Sequence, residues 1–333
     1  MFGFIKNAFT PRRDHADCSG CGLCMLVCPV WRNTRDISLT PHGRSKAMQY
    51  SDIADSAAVE NCTLCGACDP VCPEQIDLSG MTLKLRRQLT HPEAPALLAR
   101  MEEKTAQPIT TKHAPSKLLP DQALLDHPEV LVRITGLLGT RVAEDDGTDI
   151  ALALEAGVVI PMHRMQRFLA PLKGLKKIIV SDGLLLKHLK QLLPEKHFVS
   201  LGEALSGHAE VRRRLRSTDL YVIEPRAYHS DYQRLVRYYD RMRIAHGCSF
   251  NLDLQRIAIP VTVRSLPQRL GLRSNDDHAH DDDAQARWVL HGRSITRIVV
   301  ESMEDRFALQ RVSDVPVVHL AELADDSVHV CGT

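Results

Sequence analysis

Eight of the ten cysteines of this 333-residue chain stand near its start, in two runs of the same spacing. Each run has the pattern C-x2-C-x2-C-x3-C followed by proline: Cys18, Cys21, Cys24 and Cys28 form the first, and Cys62, Cys65, Cys68 and Cys72 the second. Thiolates at this spacing are typical ligands of a [4Fe–4S] cluster, which transfers single electrons. The two runs therefore predict two such clusters.

The fourth cysteine of each run is set apart from the other three and precedes a proline. In chains with two such clusters, the fourth cysteine binds the cluster of the other run. The spacing thus predicts one cluster on Cys18, Cys21, Cys24 and Cys72, and another on Cys62, Cys65, Cys68 and Cys28. Gly22 and Gly66 stand where a backbone without a Cβ can approach an inorganic sulfide.

Zinc knuckles and a disulfide framework are the alternatives for cysteines this dense. Zinc is usually bound by four ligands in two short pairs, whereas these are two evenly spaced quartets, each closed by Cys-Pro. Dense disulfides usually stabilise small secreted domains. The pattern therefore favours two clusters.

Composition indicates a protein with a hydrophobic core and two or three domains, since 44% of the residues are hydrophobic and 25% are charged. A net charge of +1 and an aromatic content of 5% argue against nucleic acid as a partner. No apolar stretch is long enough to span a membrane, and we expect the cytoplasm, where thiols and clusters survive. Residues 2–9 would form an apolar helix face that packs on the protein itself or on a partner or membrane surface.

Helices are expected around the cysteines, because 33 residues separate Cys28 from Cys62. Residues 40–44 predict a turn, with helices after Ser45, after Ser51 and after Ser79. Residues 1–90 are therefore predicted to be a helical dicluster ferredoxin-like domain, and residues 91–135 a proline-rich linker with one or two helices.

From about Thr148 the pattern changes to alternating helices and strands, which predicts a parallel sheet covered by helices. Strands are expected at 158–160, 177–180, 198–201 and 220–223, and a helix at 184–193. The segment 177–205 is weakly similar to 297–323, so we predict two α/β repeats, with chance similarity as the alternative. The predicted domains are 136–272 for repeat 1 and the start of repeat 2, 273–285 for an acidic linker, and 286–333 for the end of repeat 2. The fold class is α+β and multidomain.

Three motifs of the first 90 residues together resemble one group of proteins. They are Cys21-Gly22-x-Cys24-x3-Cys28-Pro29-x2-Arg32, Pro41-x-Gly43-Arg44 and Cys72-Pro73-x2-Ile76-Asp77-Leu78. This string resembles the iron–sulfur subunits of glycolate oxidase and lactate utilisation systems, and the C subunit or fused D subunit of heterodisulfide reductase. The resemblance implies a relay of electrons between a flavoprotein, or a second redox module, and an acceptor.

The resemblance weakens in the α/β region. Subunits of that group often carry two α/β repeats with a Cys-Cys-Gly signature, and this chain has none. Only Cys248 and Cys331 remain there, without neighbouring cysteines, and Cys248 is expected to be a small buried side chain. The resemblance then implies degenerate repeats without an active-site cluster, which leaves a docking scaffold.

Two other segments and a group of basic residues also have side chains that could form sites. The segment 224–232 follows a predicted strand, where α/β folds bind ligands, although its tyrosines and His229 also suit helix packing. The stretch 275–283, with His278 and His280, could bind a divalent metal, but its dense charge favours a solvated linker. Six basic residues near the cysteines could raise a cluster's potential or contact a partner: Arg12, Arg13, Arg32, Arg35, Arg44 and Lys46.

These observations predict an electron-transfer subunit of a multi-subunit oxidoreductase complex, located in the cytoplasm or peripherally on the cytoplasmic face of a membrane. No flavin or nicotinamide fingerprint is seen, so substrate chemistry is expected on another chain. Two alternatives stay open. The α/β region could itself bind a substrate or quinone that the clusters reduce, or the chain could be a cluster-bearing assembly or sensing protein.

Overall fold

The computed structural model describes residues 13–51, 56–89, 92–108, 116–271 and 281–324. It contains a helical N-terminal region that carries the cysteine runs, followed by two α/β units. The apolar face predicted at residues 2–9, Arg12, His278, His280 and Cys331 lie outside the described residues. Within the described ranges, no helix is long and apolar enough to cross a membrane.

Each α/β unit is built on a four-stranded parallel sheet. The strands are β1 (Ser116–Leu119), β2 (Arg141–Val142), β3 (Lys177–Val180), β4 (His197–Ser200), β5 (Asp219–Val222), β6 (Ser249–Phe250), β7 (Arg297–Val300) and β8 (Val317–His319). The first sheet has the order β2-β1-β3-β4 and the second the order β6-β5-β7-β8. The two sheets therefore have the same strand order, and the segments predicted to repeat occupy equivalent places, as β3 and β4 in one and β7 and β8 in the other.

Helices connect and cover the strands. They are α1 (Leu23–Leu26), α2 (Pro29–Thr34), α3 (Pro41–Ser51), α4 (Ser56–Glu60), α5 (Leu78–Arg86), α6 (Ala94–Ala106), α7 (Gln122–Leu125), α8 (Pro128–Leu138), α9 (Thr148–Ala156), α10 (Met162–Leu172), α11 (Gly183–Leu192), α12 (Leu201–Ser206), α13 (Ala209–Arg213), α14 (Pro225–Ser230), α15 (Tyr232–His246), α16 (Leu266–Arg269), α17 (Asp282–Leu290) and α18 (Met303–Gln310).

The largest hydrophobic core lies between the two sheets. Ile179 of β3 and Val299 of β7 belong to the same buried cluster, because one face of each sheet points into it. The alternate residues of these strands, such as Ile178 and Ile298, face separate clusters that helices cover on the outside. Strands buried on both faces are continuous apolar runs, such as Ile178, Ile179 and Val180 of β3. The two units therefore share a core.

The structure differs from the predicted elements in three places. Strand β1 and helix α7 lie within the segment 91–135 that was predicted as a linker with helices. The strand predicted at 158–160 is wrong: Gly157, with φ 77°, ends α9, and these residues form the loop before α10. The turn predicted at 40–44 is the start of α3, because Pro41 is well suited to the first position of a helix.

Candidate iron–sulfur cluster sites

The first candidate site is a small cavity lined by four cysteines. Cys18, Cys21, Cys24 and Cys72 surround it. Three of these belong to the first run and the fourth to the second run. Ile76 and Leu78 close the apolar side of this cavity. The structure thus brings together the four cysteines that the spacing predicts for one cluster.

The second candidate site is a similar cavity lined by the other four cysteines. Cys28, Cys62, Cys65 and Cys68 surround it, together with apolar side chains such as Val30 and Leu39. Cys28 is the last cysteine of the first run and caps the N-terminus of α2. Each run therefore contributes three thiols to one cavity and one thiol to the other.

Burial and crowding make these thiols poor acids in the absence of a metal. Burial raises the pKa of Cys24 to about 12, and the nearby Cys18, Cys72 and Cys21 add to the rise. Burial likewise raises the pKa of Cys65 to about 12, with Cys28 as one of its neighbours. Buried thiolates need a cationic partner, and the iron of a thiolate-ligated cluster is such a partner.

The loops between the cysteines have a matching backbone in both runs. Gly20 and Gly22 have φ angles of 81° and 77°, while Leu64 and Gly66, at the corresponding positions, have 52° and 74°. These left-handed positions tighten each loop so that its thiols converge. A Cβ on Gly22 would meet no atom within 4 Å, but a Cβ on Gly66 would lie 3.0 Å from the Cβ of His229. Gly66 therefore also permits the close approach of His229.

The donor set fits a [4Fe–4S] cluster in each cavity, since each offers four thiols in a mostly apolar pocket. All nine cysteines in the described ranges are free thiols rather than disulfides. In the same ranges, no three His, Cys, Asp or Glu side chains converge closely enough to bind a single metal ion.

The two cavities differ in their distance from solvent. Cys21 of the first group is exposed, and two apolar side chains of the adjoining helix α1, Leu23 and Leu26, are 40% and 62% exposed. In the second group, Cys28 and Cys68 are buried, and the α/β units lie against the loop that carries Cys65. The first group thus has one exposed thiol, whereas the thiols of the second group are buried or half-buried.

A buried network of charges holds the loop before Cys65 against both α/β units. Arg86 of α5 is fully buried and donates to the backbone carbonyls of Val59 and Cys62 and to the Glu155 side chain, 3.2 Å away. Arg226 of α14 donates to the carbonyl of Thr63 at 2.6 Å and to both oxygens of Glu155. Burial alone would raise the pKa of Glu155, but Arg226, Arg269 and Arg86 outweigh it and lower that pKa to about 2. Glu155 therefore remains ionised.

His229 makes a second contact with the cysteine loop. Its Nδ1 atom lies 2.7 Å from the carbonyl oxygen of Cys65, and its Nε2 atom accepts the backbone N–H of Ala258. Because Nε2 is an acceptor, Nδ1 carries the proton and donates to Cys65. Burial lowers the pKa of His229 to about 4, so the ring is neutral. His229, which helix packing was expected to explain, thus binds the second cysteine loop.

A third contact joins α11 to the cysteine region. Lys187 donates to Asp69, Asp77 and the hydroxyl of Ser79 over distances of 2.7–3.2 Å. Asp69 directly follows Cys68 in the chain. The α/β region therefore bonds residues next to the second cavity, among them Ser79, which lines it.

Some of the basic residues predicted near the clusters are structural. Arg44 is 1% exposed and donates to the carbonyls of Leu39 and Ala58. Arg32 lies over the ring of Trp288 at 3.5 Å from the centroid, a cation–π contact. Lys46 donates to the carbonyl of Cys18. Cys248 is buried, as expected, and burial raises its pKa to about 11.

A larger cavity, of about 300 Å³, lies where the carboxyl ends of the two sheets meet. We call it the inter-sheet cavity. It is lined by the residues that follow β1, β3, β5 and β7, among them Asp121, Asp182 and Glu224, and one wall contains Thr63 and Cys65. Its volume is at the lower end of the range for small-molecule sites. The cavity lies beyond the carboxyl ends of strands, at the point where the strand order of a sheet reverses, and open α/β sheets usually bind ligands there.

The segment 224–232, considered as a ligand loop from the sequence, contributes Glu224 and Arg226 to this cavity. Its tyrosine Tyr228 is instead buried in the shared core. Asp121, Asp182 and Asp305 were not anticipated. A signal existed for the first two, since each follows a short strand and caps the next helix.

Comparison with known proteins gives a result for the N-terminal region. Residues 14–76 match the family model described as a 4Fe-4S dicluster domain. Over 83 residues the chain is 36% identical to the "Uncharacterized electron transport protein YkgF" of Escherichia coli (strain K12), a match that covers 22% of this chain and 17% of that protein. No solved structure matches the chain. The chain therefore carries a 4Fe–4S dicluster domain over residues 14–76, and these matches support an electron-transfer role.

Proposed function

We propose that the chain is an electron-transfer subunit of a multi-subunit oxidoreductase complex, resembling the iron–sulfur subunits of heterodisulfide reductase and glycolate oxidase. Two [4Fe–4S] clusters supply the one-electron chemistry. Cys18, Cys21, Cys24 and Cys72 would hold one of them, and Cys28, Cys62, Cys65 and Cys68 the other. The observation that carries this proposal is the pair of cavities, each lined by three thiols from one run and one from the other.

The exposure of Cys21 suggests that electrons pass between the first cluster and a partner protein. Cys21 of the first cavity is exposed, and so are the apolar side chains Leu23 and Leu26 of the adjoining helix α1. Exposed apolar side chains beside a redox site favour docking of another protein. A flavoprotein or a second redox module of the complex would dock there. We place the complex in the cytoplasm or on the cytoplasmic face of a membrane.

The test is metal content and spectroscopy of anaerobically purified protein. Full-length protein should hold about eight irons and eight sulfides per chain. Four or fewer irons after full reconstitution, or zinc in their place, would contradict the proposal.

Two matched variants test which cysteines share a cluster. Cys72→Ser should damage the cluster of the first run, and Cys28→Ser the cluster of the second run, because each removes the ligand that comes from the other run. Electron paramagnetic resonance of the two reduced variants should therefore lose different signals. If Cys72→Ser abolished the signal that Cys65→Ser abolishes, the crossed arrangement would be wrong.

A further inference from the structure

The inter-sheet cavity has a chemical character that the electron-transfer role does not explain. Each of its four strand ends is followed by an acidic side chain: Asp121 after β1, Asp182 after β3, Glu224 after β5 and, two residues into α18 beyond β7, Asp305. Glu155 and Glu304 also line the cavity, so it contains six carboxyls and four arginines.

The arginines of the lining already have partners. Arg226 is bound by Glu155, and Arg269 lies 3.7 Å from Glu155 and 3.5 Å from Glu304. Arg264 donates to Asp282, and Arg100 donates to Gln122. Three of the four arginines therefore have an acidic partner within the protein, and Arg100 has a neutral one.

The four carboxyls that follow the strands differ from the arginines in their partners. Asp121, Asp182 and Glu224 accept hydrogen bonds from backbone N–H groups at the start of the following helices, and Asp121 also interacts with the hydroxyl of Ser181. Within the described part of the chain, none of the four forms an ion pair within 4.0 Å with a lysine or arginine, although Arg226 and Arg269 of the same cavity act on Asp182, Glu224 and Asp305 over a longer distance. Asp121, Asp182 and Glu224 are half-buried and Asp305 is buried. A carboxylate withdrawn from water without a close cation is costly.

Among the four carboxyls, Asp305 is the most deeply buried and has an oxygen without a hydrogen-bond partner. It is 5% exposed, and its Oδ2 atom is buried without a hydrogen-bond partner. Burial raises its pKa well above the ordinary value, and the nearby carboxyls of Glu224, Glu304 and Glu301 raise it further. Asp305 thus lines the 300 Å³ cavity as a buried carboxyl with one oxygen that has no hydrogen-bond partner, whereas buried polar groups are usually paired.

We propose that the inter-sheet cavity binds a small organic cation, an amine or a guanidine, whose charged nitrogen lies among Asp121, Glu224 and Asp305. Such a ligand supplies the cationic hydrogen-bond donors that these carboxyls lack. It would lie against the wall that contains Thr63 and Cys65 and so beside the second cysteine group. This is a ligand site in addition to the electron-transfer role.

Three four-carbon probes of equal length and different charge test the proposal: putrescine (a dication), 1,4-butanediol (neutral) and succinate (a dianion). Each is titrated into cluster-loaded protein by anaerobic calorimetry. Putrescine should bind at one saturable site, at least about tenfold more tightly than 1,4-butanediol, and succinate should not bind. Succinate binding as tight as putrescine would overturn the proposal. So would the absence of putrescine binding at about 10 mM, a concentration at which even millimolar complexes form.

Asp305→Asn distinguishes a binding role from a structural one. Because burial raises the pKa of Asp305, folding at neutral pH forces a proton onto a carboxyl that is ionised in the unfolded chain, a cost that the non-titrating asparagine does not carry. Asp305→Asn should therefore raise the melting temperature by about 2–4 °C, while putrescine affinity should fall about tenfold. The matched control is Asp314→Asn, the same change at an exposed aspartate outside the cavity, which should alter neither. A lower melting temperature with unchanged affinity for Asp305→Asn would show that the carboxyl is structural and would overturn the proposal.

Discussion

Leu64 shows how one residue can fix a cysteine loop. It has a φ of 52°, a conformation that costs energy for any side chain other than glycine. Its counterpart in the first run is Gly20, which has no such cost. Leu64 is 4% exposed and packs in the core of the first α/β unit with Leu119 and Leu185. The packing offsets the backbone strain and anchors the loop between Cys62 and Cys65.

We therefore expect Leu64→Ala to lower the free energy of unfolding by about 2–5 kcal/mol, the usual range for such a change in a core. It should also speed the loss of the cluster bound by the second group. Anaerobic thermal unfolding and the decay of visible absorbance measure the two effects. Leu26→Ala, at a side chain that is 62% exposed, is the control and should change stability by less than about 0.5 kcal/mol. Equal effects of the two substitutions would contradict the anchoring role.

At the scale of elements, the inter-sheet cavity depends on the close approach of two helix N-termini. Helix α11 follows β3 and helix α14 follows β5, so the contact between them joins the two units. Gly183 begins α11, and a Cβ there would lie 2.3 Å from the backbone nitrogen of Ala227 and 2.5 Å from the Cβ of Arg226. Neither of these atoms belongs to a flexible side-chain end, so the backbone itself would have to move.

Gly183→Ala should consequently destabilise the protein by about 1–3 kcal/mol, as overpacking of a tight contact does. Gly136→Ala in α8 is the matched control, because a Cβ at that position meets nothing within 4 Å. That substitution should be neutral or stabilise by up to about 1 kcal/mol, since alanine favours a helix more than glycine does. Melting temperatures of both variants decide the point, and a stable Gly183→Ala protein would show that the two helices can separate freely.

At the scale of the whole molecule, buried carboxyls should make stability depend on pH near neutrality. Glu301 follows β7, is 4% exposed, and accepts hydrogen bonds from the hydroxyls of Tyr221 and Tyr239. Burial raises its pKa to about 7 despite these bonds. A carboxyl with a raised pKa in the folded state holds a proton that the unfolded chain has released. Its contribution is therefore full below the unfolded value near 4.5 and is lost as the pH rises through 7.

Glu301→Gln removes this titration. The stability of the variant relative to the unmodified protein should increase by about 1 kcal/mol between pH 6 and pH 8. The difference between the two melting curves isolates Glu301, because His229 and His319, whose pKa values burial lowers to about 4, contribute equally to both. Parallel pH profiles for the two proteins would contradict the raised pKa.

The sequence was most informative where a local pattern carries the chemistry. The spacing of Cys18, Cys21 and Cys24, with Cys72 added from the second run, was sufficient to predict which thiols line one cavity, although ligation of a cluster there stays a prediction. The apolar runs of β3 and β7 likewise predicted strands correctly. Strand β1 was missed because four residues beside prolines have too little pattern to distinguish them from a linker.

Long-range contacts between charged residues could not be read from the sequence. Arg86 and Glu155 are 69 residues apart and Glu155 and Arg226 are 71 apart, and nothing near any of them in the chain marks it as buried. Charged residues are usually on the surface, so a sequence pattern does not single out the few that are buried. The contacts of the α/β units with the second cysteine loop were therefore not predicted.

The cover over the second cysteine group has a consequence for how the protein matures. His229 and Arg226 reach Cys65 and Thr63 only when the second sheet has formed, and that sheet pairs β5 with β7 across 78 residues of chain. Pairing of strands so distant in sequence is slow. We therefore expect iron and sulfide to reach the second group while the chain is still folding, before His229 and Arg226 close over it.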